Sequence, residues 1–427
     1  MLNYVLRRRA SLKDMKSKSS GRRMRRIGGA VVAALLAAGG AAPASAAITV
    51  APPLDVPFLS NHYFQSVAVL EDGSFALSGA TLYPIPDEDG HTQFEVQAYA
   101  PDGSPIGVKY SPQPAFPSDT GGIGSLGDRY FVSWQHYAAK GSRATFLSRE
   151  GVVLAPPFSW PNSEMPSYQL YYRYGPGPRW RFLPIVFHFK GGDQLENLQP
   201  SVQVHGPDAQ PLGPPIALAS HASRTYEIDM AMNGDGRFVV VYQRCPKSFP
   251  VRPCLTGLQV FDGSGQAQTE FLTHGVKQDS LVAGIAPAGQ ILLFWSSGTD
   301  PKAALFFAGL FDKDGSPITR SLLVRRVPLP GGFIQQVHAL SGGSFLLSWI
   351  EINQDGTTSF FLSEFDPATR RVSPPTMVAT DQLAADGYRF EITGSGKGVV
   401  AWTSFAGDVF TGHARLITAH EATAAAR

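Results

Sequence analysis

One short phrase recurs seven times between Ser66 and Trp402, and its even spacing constrains the fold more than any other feature of the chain. Each copy is a run of four or five apolar residues that usually starts at a glycine and ends in an aromatic residue. The copies end at Gly79, Trp134, His188, Tyr242, Trp295, Trp349 and Trp402, with spacings of 55, 54, 54, 53, 54 and 53 residues. A repeat of this length indicates that one structural unit is built seven times.

The fourth repeat shows this unit most clearly. Strand-like runs at 225–232, 238–243 and 256–262 are followed by a fourth run that continues through Phe271. The turns between them read NGDG at 233–236 and DGSG at 262–265, and such residues tolerate the positive φ that tight hairpins need. Each repeat therefore predicts four antiparallel strands, and seven repeats predict an all-β protein, a seven-bladed β-propeller.

The second strand of each repeat lacks a polar face, as in the run ILLFW at 291–295. A strand of this kind is covered on both sides, which happens when blades stack on each other. The aromatic residues that end these strands are therefore predicted to pack between blades.

The two ends of the chain supply complementary parts of the repeat. Six copies of the hairpin between third and fourth strands accompany seven copies of the second strand, so the seventh repeat lacks its outer strand. The segment 48–56 resembles the fourth strands at 154–158 and 214–218. Docking on the seventh blade would close the ring and remove the last open sheet edge. We therefore predict a propeller closed by the N-terminal strand of the mature chain.

Residues 1–46 are predicted to be a signal peptide, residues 47–418 the propeller, and residues 419–427 a disordered tail. The basic run RRMRR at 22–26 precedes a short apolar stretch, and Ala44-Ser45-Ala46 has the form of a signal-peptidase site. We expect a secreted or periplasmic protein that does not insert into a membrane after cleavage. Sec and twin-arginine export, and translation starts at Met15 or Met24, stay open as alternatives.

Removal of this leader changes the sign of the net charge. The full chain carries a net +2, whereas the residues after Ala46 include 26 basic and 33 acidic residues, a net of −7. Nucleic acids and anionic membranes are recognised by basic surfaces, which this composition does not favour. We expect a monomer that binds a protein or glycan partner and no nucleic acid.

Cys245 and Cys254 are the only cysteines in the chain. They flank the connection between the second and third strands of blade four, and adjacent antiparallel strands would bring them close. An oxidising compartment favours a disulfide between them, and two free thiols are the alternative.

The long connections between second and third strands are predicted to share one face of the propeller, where binding residues tend to lie. They are expected at 80–94, 135–144, 190–197, 244–257, 296–304, 350–359 and 404–412.

Comparison of equivalent positions singles out a candidate ligand-binding cluster. Thirteen residues before each repeat's end stand Ser66, Gly121, Gly175, Asp229, Val282, Gln336 and Arg389. Only blades four and seven are charged at this position, which the fold alone does not explain. Glu227 and Glu391 lie two residues away on the same strand faces. Glu227, Asp229, Arg389 and Glu391 therefore form the predicted cluster, and ion pairs that seal the tunnel are the alternative interpretation.

Specific catalytic and metal motifs are absent from the sequence. It contains no HExxH, GxSxG or cysteine-histidine zinc spacing. The segment DKDG at 312–315 begins like a calcium loop but occupies the ordinary hairpin position, so we predict a turn. We predict no cofactor, no metal site and no catalytic residues.

The period, the glycine-to-tryptophan second strand and the FDxxG hairpin together resemble secreted bacterial β-propeller repeat proteins of uncharacterised function. The resemblance is architectural and implies no site residues. We expect a binding or interaction module that presents its long-loop face. The alternative is an extracellular hydrolase or lyase that uses carboxylates at the tunnel mouth on polysaccharide or lactone substrates.

Overall fold

A computed structural model describes most of the chain beyond residue 47. The described residues are 48–59, 62–81, 94–112, 121–136, 141–159, 171–175, 181–189, 198–218, 228–244, 255–270, 272–276, 280–297, 300, 302–319, 321–382, 387–406 and 409–420. The predicted signal peptide, both cysteines and Glu227 lie outside them. Among these residues, no helix is long and apolar enough to cross a membrane.

The described residues form 30 β-strands and one turn of 3-10 helix, arranged in seven antiparallel sheets. Strands β1 (Ile48–Val50) and β2 (Leu54–Asp55) and the helical turn Pro57–Leu59 come first. Sheet 1 contains β3 (His62–Val69), β4 (Phe75–Thr81), β5 (Phe94–Tyr99) and β6 (Pro105–Tyr110). Sheet 2 contains β7 (Gly121–Leu126), β8 (Arg129–His136), β9 (Gly141–Ser148) and β10 (Phe158–Ser159). Sheet 3 contains β11 (Tyr171–Gly175), β12 (Arg181–Phe189), β13 (Leu198–Val202) and β14 (Ile216–Ala217).

The remaining sheets follow the same strand order. Sheet 4 contains β15 (Ile228–Met232), β16 (Phe238–Arg244), β17 (Leu255–Phe261) and β18 (Leu272–Val276). Sheet 5 contains β19 (Ser280–Ile285), β20 (Ile291–Ser297), β21 (Ala303–Phe311) and β22 (Leu322–Pro328). Sheet 6 contains β23 (Gly331–Ala339), β24 (Phe345–Ile352), β25 (Thr357–Asp366), β26 (Arg371–Val372) and β27 (Thr376–Gln382). Sheet 7 contains β28 (Arg389–Ile392), β29 (Lys397–Ala406) and β30 (Val409–Ala419), together with β1 and β2.

Sheet 7 is assembled from both ends of the described chain. Strand β1 pairs antiparallel with β30, with Ile48 opposite Ala419. Strand β2 pairs with the same strand, with Leu54 opposite Ala414. The N-terminal segment therefore supplies the outer strand that the seventh repeat lacks in the sequence.

The hydrophobic core consists of clusters that join neighbouring sheets. The second strands of sheets 1, 2, 4, 5, 6 and 7 are buried on both faces, as the apolar runs predict. Residues from neighbouring repeats that belong to one cluster include Ala68 and Val132, Phe146 and Ala209, Val204 and Met230, Val241 and Leu281, Phe294 and Trp349, Phe360 and Phe390, and Leu77 and Val399.

A tight turn joins β15 to β16 as the sequence NGDG predicts. Gly236 has a φ of 81°, and its backbone N–H donates to the Asn233 carbonyl at 2.9 Å. The Asn233 side chain accepts from the Asp235 N–H at 3.2 Å. A residue with a Cβ is strained at this φ, which explains the glycine.

His205, which follows β13, gives the fold a pH dependence. Its ring is buried and its Nδ1 lies 2.9 Å from the Ala209 carbonyl oxygen. Burial lowers the pKa of His205 below its ordinary value of 6.5. The unfolded chain therefore binds a proton that the folded chain rejects, and stability falls as the pH drops below about 6.5.

When the pH falls from 7.5 to 5, we expect the melting temperature of the His205→Leu variant to decrease less than that of the wild-type protein. Thermal unfolding of both proteins across this range measures the difference. The exposed His420 provides the control, because His420→Leu should follow the wild-type pH profile. Parallel profiles for wild type and His205→Leu would contradict this role.

Candidate functional site

Strand pairing defines an equivalent position in the first strand of six of the seven sheets. Each second strand contains one copy of the recurring apolar phrase. We call the first-strand residue that pairs with the next-to-last residue of that phrase the inner position. Ser66, Gly122, Asp229, Val282, Gln336 and Arg389 occupy it. The fixed sequence offset is therefore wrong by one residue in sheet 2. In sheet 3 the offset is wrong by more than one residue, because the residue it selects, Gly175, pairs with Arg181 at the start of the second strand.

Asp229 uses its carboxylate to bind the backbone of the next sheet. Its Oδ2 accepts a hydrogen bond from the Ala283 N–H of β19 at 2.9 Å, and the residue is only 7% exposed. Ser66 does the same in sheet 1, where its hydroxyl oxygen accepts from the Ile123 N–H at 2.9 Å. Both side chains satisfy a polar group at the edge of a neighbouring first strand, which is a structural role.

Replacing Asp229 by alanine should lower the free energy of unfolding by about 1–3 kcal/mol, because the buried Ala283 N–H loses its acceptor. Asp229→Asn retains an acceptor oxygen of the same shape and should lose less. Urea denaturation of the two variants measures the difference. Equal losses would show that the charge of Asp229, and not its acceptor oxygen, matters.

We call the residue two positions after the inner position, in the same first strand, the second inner position. The sheets differ in the size of the residue found there. Sheets 1, 4 and 5 have Ala68, Ala231 and Gly284 there. A Cβ on Gly284 would lie 2.4 Å from Cγ1 of Val337 in sheet 6, which shows how closely the following sheet packs. Sheets 6 and 7 instead carry His338 and Glu391 at this position.

His338 and Glu391 lie close together across the interface between sheets 6 and 7. His338 Nδ1 is 3.8 Å from Glu391 Oε1, and their side chains are 13% and 34% exposed. On the other side of the ring, His338 Nε2 is 3.0 Å from Gln336 Oε1. The edge of the imidazole packs against Phe390, with ring centroids 5.0 Å apart. Hydrogen bonds and packing therefore fix the orientation of this histidine.

Arg389 completes the polar group on β28. Because alternate residues of a strand share one face, Arg389 and Glu391 lie on the same face. The guanidinium Nη1 donates to the Tyr388 carbonyl at 3.3 Å. We call Gln336, His338, Arg389 and Glu391 the inner-strand cluster. These residues carry amide, imidazole, guanidinium and carboxylate groups, and the His338 and Glu391 side chains are 13% and 34% exposed.

The four predicted site residues have different positions in the structure. Arg389 and Glu391 belong to the inner-strand cluster, whereas Asp229 binds the backbone of sheet 5. Glu227 lies outside the described residues. His338 was not included in the predicted cluster, although the sequence contained a signal for it. Eleven residues before the ends of the seven repeats stand Ala68, Ile123, Gly177, Ala231, Gly284, His338 and Glu391, and only the last two are titratable.

Two of the predicted long connections are short hairpins. Strand β24 continues to Ile352 and β25 begins at Thr357, so the predicted loop at 350–359 is a four-residue turn. Strand β29 runs to Ala406, which pairs with Val409 of β30. Extension of the strand pairing beyond the apolar phrase shortens both connections. The predicted loops at 190–197 and most of 80–94 and 244–257 lie outside the described residues.

Ser404, His413 and Asp381 form a second polar group in sheets 6 and 7. His413 Nε2 lies 2.8 Å from the Ser404 hydroxyl and 4.0 Å from Asp381 Oδ2. The same Asp381 oxygen accepts from the Trp402 indole N–H at 2.8 Å. In a catalytic triad the carboxylate holds the other ring nitrogen of the histidine. Here both groups face the same nitrogen, so the arrangement is not a triad.

Within the part of the chain that the structure describes, no group of three or more His, Cys, Asp or Glu residues could hold a metal ion. The segment 312–315 is a hairpin turn, as predicted. Asp314 Oδ1 accepts from both the backbone N–H and the hydroxyl of Ser316, at 2.9 and 2.6 Å. These local bonds lower the pKa of Asp314.

The sequence matches no known protein family and no curated protein. Solved structures do resemble the fold. An ulvan lyase, described as a new family of polysaccharide lyase, is 8% identical with a TM-score of 0.49, over 84% of this chain and 95% of that chain. An oligogalacturonate lyase in complex with manganese is 9% identical with a TM-score of 0.48, over 88% and 97%. A protein of unknown function from Dyadobacter fermentans DSM 18053 is 12% identical with a TM-score of 0.44, over 87% and 99%.

The structural neighbours are β-propeller-like proteins. At such low identity, no activity or site residue transfers from them to this chain. The resemblance to secreted bacterial repeat proteins stays a prediction.

Proposed function

We propose that the seven sheets form one closed seven-bladed β-propeller. Contacts between the last and first sheets support this arrangement. Val399 and Ala401 of sheet 7 share a hydrophobic cluster with Val67 and Leu77 of sheet 1. Lys397 Nζ also donates to the Asp72 carbonyl at 3.1 Å. Pairing of β1 with β30 would then join the two ends of the chain in a single blade.

Within this propeller, we infer a binding module whose ligand site is the inner-strand cluster. One observation carries the inference. At the second inner position, sheets 1, 4 and 5 have alanine or glycine, whereas sheets 6 and 7 have a histidine and a glutamate 3.8 Å apart. Every sheet must pack on the next, so packing alone favours a small residue there. Titratable side chains at these two places point to recognition.

The composition of the cluster supports recognition of a polar ligand. Binding sites use a few convergent polar groups to fix a ligand's orientation. Glu391 is one-third exposed, while His338 is held by Gln336 and Phe390. A rigid donor and acceptor set with access to solvent loses little conformational freedom when a ligand binds.

The proposed biological setting is outside the cytoplasm. The export signal predicted at residues 1–46 favours a secreted or periplasmic protein, and the negative charge of the mature chain disfavours nucleic acid as a partner. A glycan or a protein would then be the partner. The second and third strands of sheets 6 and 7 are joined by short hairpins.

A hydrolase or lyase is the second candidate function. The close approach of His338 and Glu391 favours it, because a histidine beside a carboxylate can exchange protons with a substrate. Turnover distinguishes the two functions. An enzyme would release new reducing ends or unsaturated products, and those rates would fall in His338→Ala.

Binding by the mature protein, measured by isothermal titration calorimetry after a screen of glycans and candidate protein partners, tests the site. We expect His338→Ala and Arg389→Ala to weaken binding about tenfold or more, since each removes a hydrogen-bonding group from the site. Because the His338 ring packs against the core residue Phe390, thermal unfolding is measured alongside binding to check that each variant is folded.

Lys109→Ala is the matched control, because Lys109 pairs with Glu95 in sheet 1 and lies outside the cluster. It should bind like the wild type. A ligand whose affinity is unchanged in both cluster variants would remove the site from this proposal.

A further inference from the structure

We propose that a cleft between sheets 5 and 6 binds an organic acid, a ligand in which a carboxylate is attached to an aliphatic or aromatic group. The cleft has a volume of about 440 Å³ and is lined by Ile318, Thr319, Ser321, Leu322, Phe365 and Arg370. None of these residues belongs to the inner-strand cluster, so this would be a second site, independent of the one proposed above.

Arg370 occupies a backbone position that favours glycine. In sheets 1 to 6, the turn between the third and fourth strands, here called the outer hairpin, has one residue in the left-handed region near its end. With φ between 57° and 89°, these residues are Gly103, Gly151, Ala209, Gly265, Gly315 and Arg370. A large side chain at such a φ costs conformational energy, which glycine does not pay. Residues that tolerate this strain tend to occur at functional sites.

In sheets 4 and 5, the glycine at this place packs tightly on the outer strand of the preceding sheet. A Cβ at Gly265 would lie 2.7 Å from Cδ1 of Ile216, the first residue of β14. A Cβ at Gly315 would collide in the same way with Leu272, the first residue of β18. These two junctions therefore leave no space between hairpin and strand.

The junction between sheets 5 and 6 is open instead. Leu322, the first residue of β22, is the equivalent outer-strand residue, but it lines the cleft and is 37% exposed. In the outer hairpin of sheet 6, six residues separate the paired Phe365 and Val372. In sheet 5, five residues separate Phe311 and Pro317. The open junction therefore combines a longer hairpin with an arginine.

Arg370 supplies the positive charge that a carboxylate needs. The residue is exposed, and no described residue forms a hydrogen bond or an ion pair with its guanidinium. Nearby Arg325, in contrast, pairs with Glu351 at 2.8 Å. None of the described residues that line the cleft is acidic. A guanidinium presents its N–H donors as a fork that matches the two oxygens of a carboxylate.

The apolar part of the lining distinguishes an organic acid from an inorganic anion. Ile318, Leu322 and Phe365 contribute hydrocarbon surface to the cleft. An aliphatic or aromatic group gains free energy when it covers such surface, whereas phosphate or sulfate does not. A carboxylate beside an apolar group uses both the guanidinium and these side chains.

The test titrates the mature protein calorimetrically with hexanoate and benzoate, and with hexanamide and benzamide as uncharged counterparts. A peptide that ends in a free leucine carboxylate is compared with the same peptide ending in an amide. We expect the acids to bind, the amides to bind at least about tenfold more weakly, and added salt to weaken binding of the acids.

Arg370→Gly separates ligand binding from folding. It should reduce the affinity about tenfold or more, while the melting temperature stays the same or rises, because the backbone favours glycine there. Arg370→Ala should lose as much affinity, and Ala209 shows that the equivalent turn of sheet 3 accepts alanine. Lys109→Ala, which removes a positive charge from sheet 1, is the control and should bind like the wild type.

The outcomes distinguish the source of the carboxylate and the site that holds it. Binding of the free-carboxylate peptide without binding of the small acids would support the site and place the carboxylate at a chain end. Equal binding of acids and amides, equally tight binding of phosphate, unchanged affinity in both Arg370 variants, or no binding of any acid or peptide would overturn the proposal. Affinity for the acids should not change in His338→Ala, so failure of either site leaves the other unaffected.

Discussion

Replacing Trp349 by alanine is expected to lower the free energy of unfolding by about 4 kcal/mol, the largest loss of any single change considered for this chain. The side chain is fully buried, and its ring lies 6.4 Å from both Phe294 and Phe306 of sheet 5. It also stacks on Phe361 of its own sheet at 5.8 Å. Truncation therefore opens a cavity at the interface between two sheets, where the surrounding strands cannot collapse to fill it.

Trp349 also has a polar partner, which a second variant isolates. Its indole N–H donates to Glu351 Oε1 at 3.0 Å, and Arg325 Nε donates to the same oxygen at 2.8 Å. Trp349→Phe keeps an aromatic ring but leaves Glu351 without the indole donor, so we expect a smaller loss, about 1–2 kcal/mol.

Guanidinium chloride denaturation of the two variants provides the comparison. The exposed aromatic residue Phe333 supplies the control, because Phe333→Ala should change stability by much less. If Trp349→Ala is no more destabilising than Phe333→Ala, the interface between sheets 5 and 6 is not packed as described.

The second largest effect is expected from Gly412→Val in β30. A Cβ at Gly412 would lie 2.2 Å from Cβ of Leu59 and 2.5 Å from the Val56 carbonyl oxygen. The Gly412 carbonyl also accepts from the Val56 N–H at 2.9 Å. A valine there collides with backbone that has no room to move, and we expect a loss of about 3 kcal/mol together with release of the segment 48–59.

Thermal unfolding and limited proteolysis measure these two consequences. Cleavage within residues 48–59 should become faster in Gly412→Val than in the wild type. Gly394→Ala is a suitable control, because a Cβ there meets only the Glu71 carboxylate at 3.9 Å. Unchanged cleavage and stability in Gly412→Val would show that the N-terminal segment does not pack against β30 at this point.

The sequence predicts the strand architecture well because similar apolar runs and turn residues recur from repeat to repeat. Apolar runs such as 238–243 and turns such as 233–236 recur at a constant spacing, so an error in one repeat is corrected by the others. Repetition also reveals the outer strand that is missing from the seventh repeat. The pairing of Ile48 with Ala419 is a long-range contact that no local propensity would suggest.

The candidate site is only partly predictable for a related reason. The repeat identifies Arg389 and Glu391 as exceptions, but it does not show what each exception contacts. Asp229 is an equal exception in the sequence, yet its carboxylate binds the Ala283 N–H. That hydrogen bond depends on the distance between two sheets, which single-strand patterns do not contain. A fixed offset also fails where strand pairing shifts, as between Gly175 and Arg181 in sheet 3.

The pairing of β1 and β2 with β30 has a consequence for the order of folding. Residues 48–55, which precede the other described strands, pair with residues 409–419, the last strand that the structure describes. Until that strand is made they have no neighbour with which to form a sheet, while each of the other sheets is built from strands close in sequence. Sheet 7 can therefore be completed only after residues 409–419 have been synthesised. A chain that stops before residue 409 would leave the edge of its first strand exposed to other molecules.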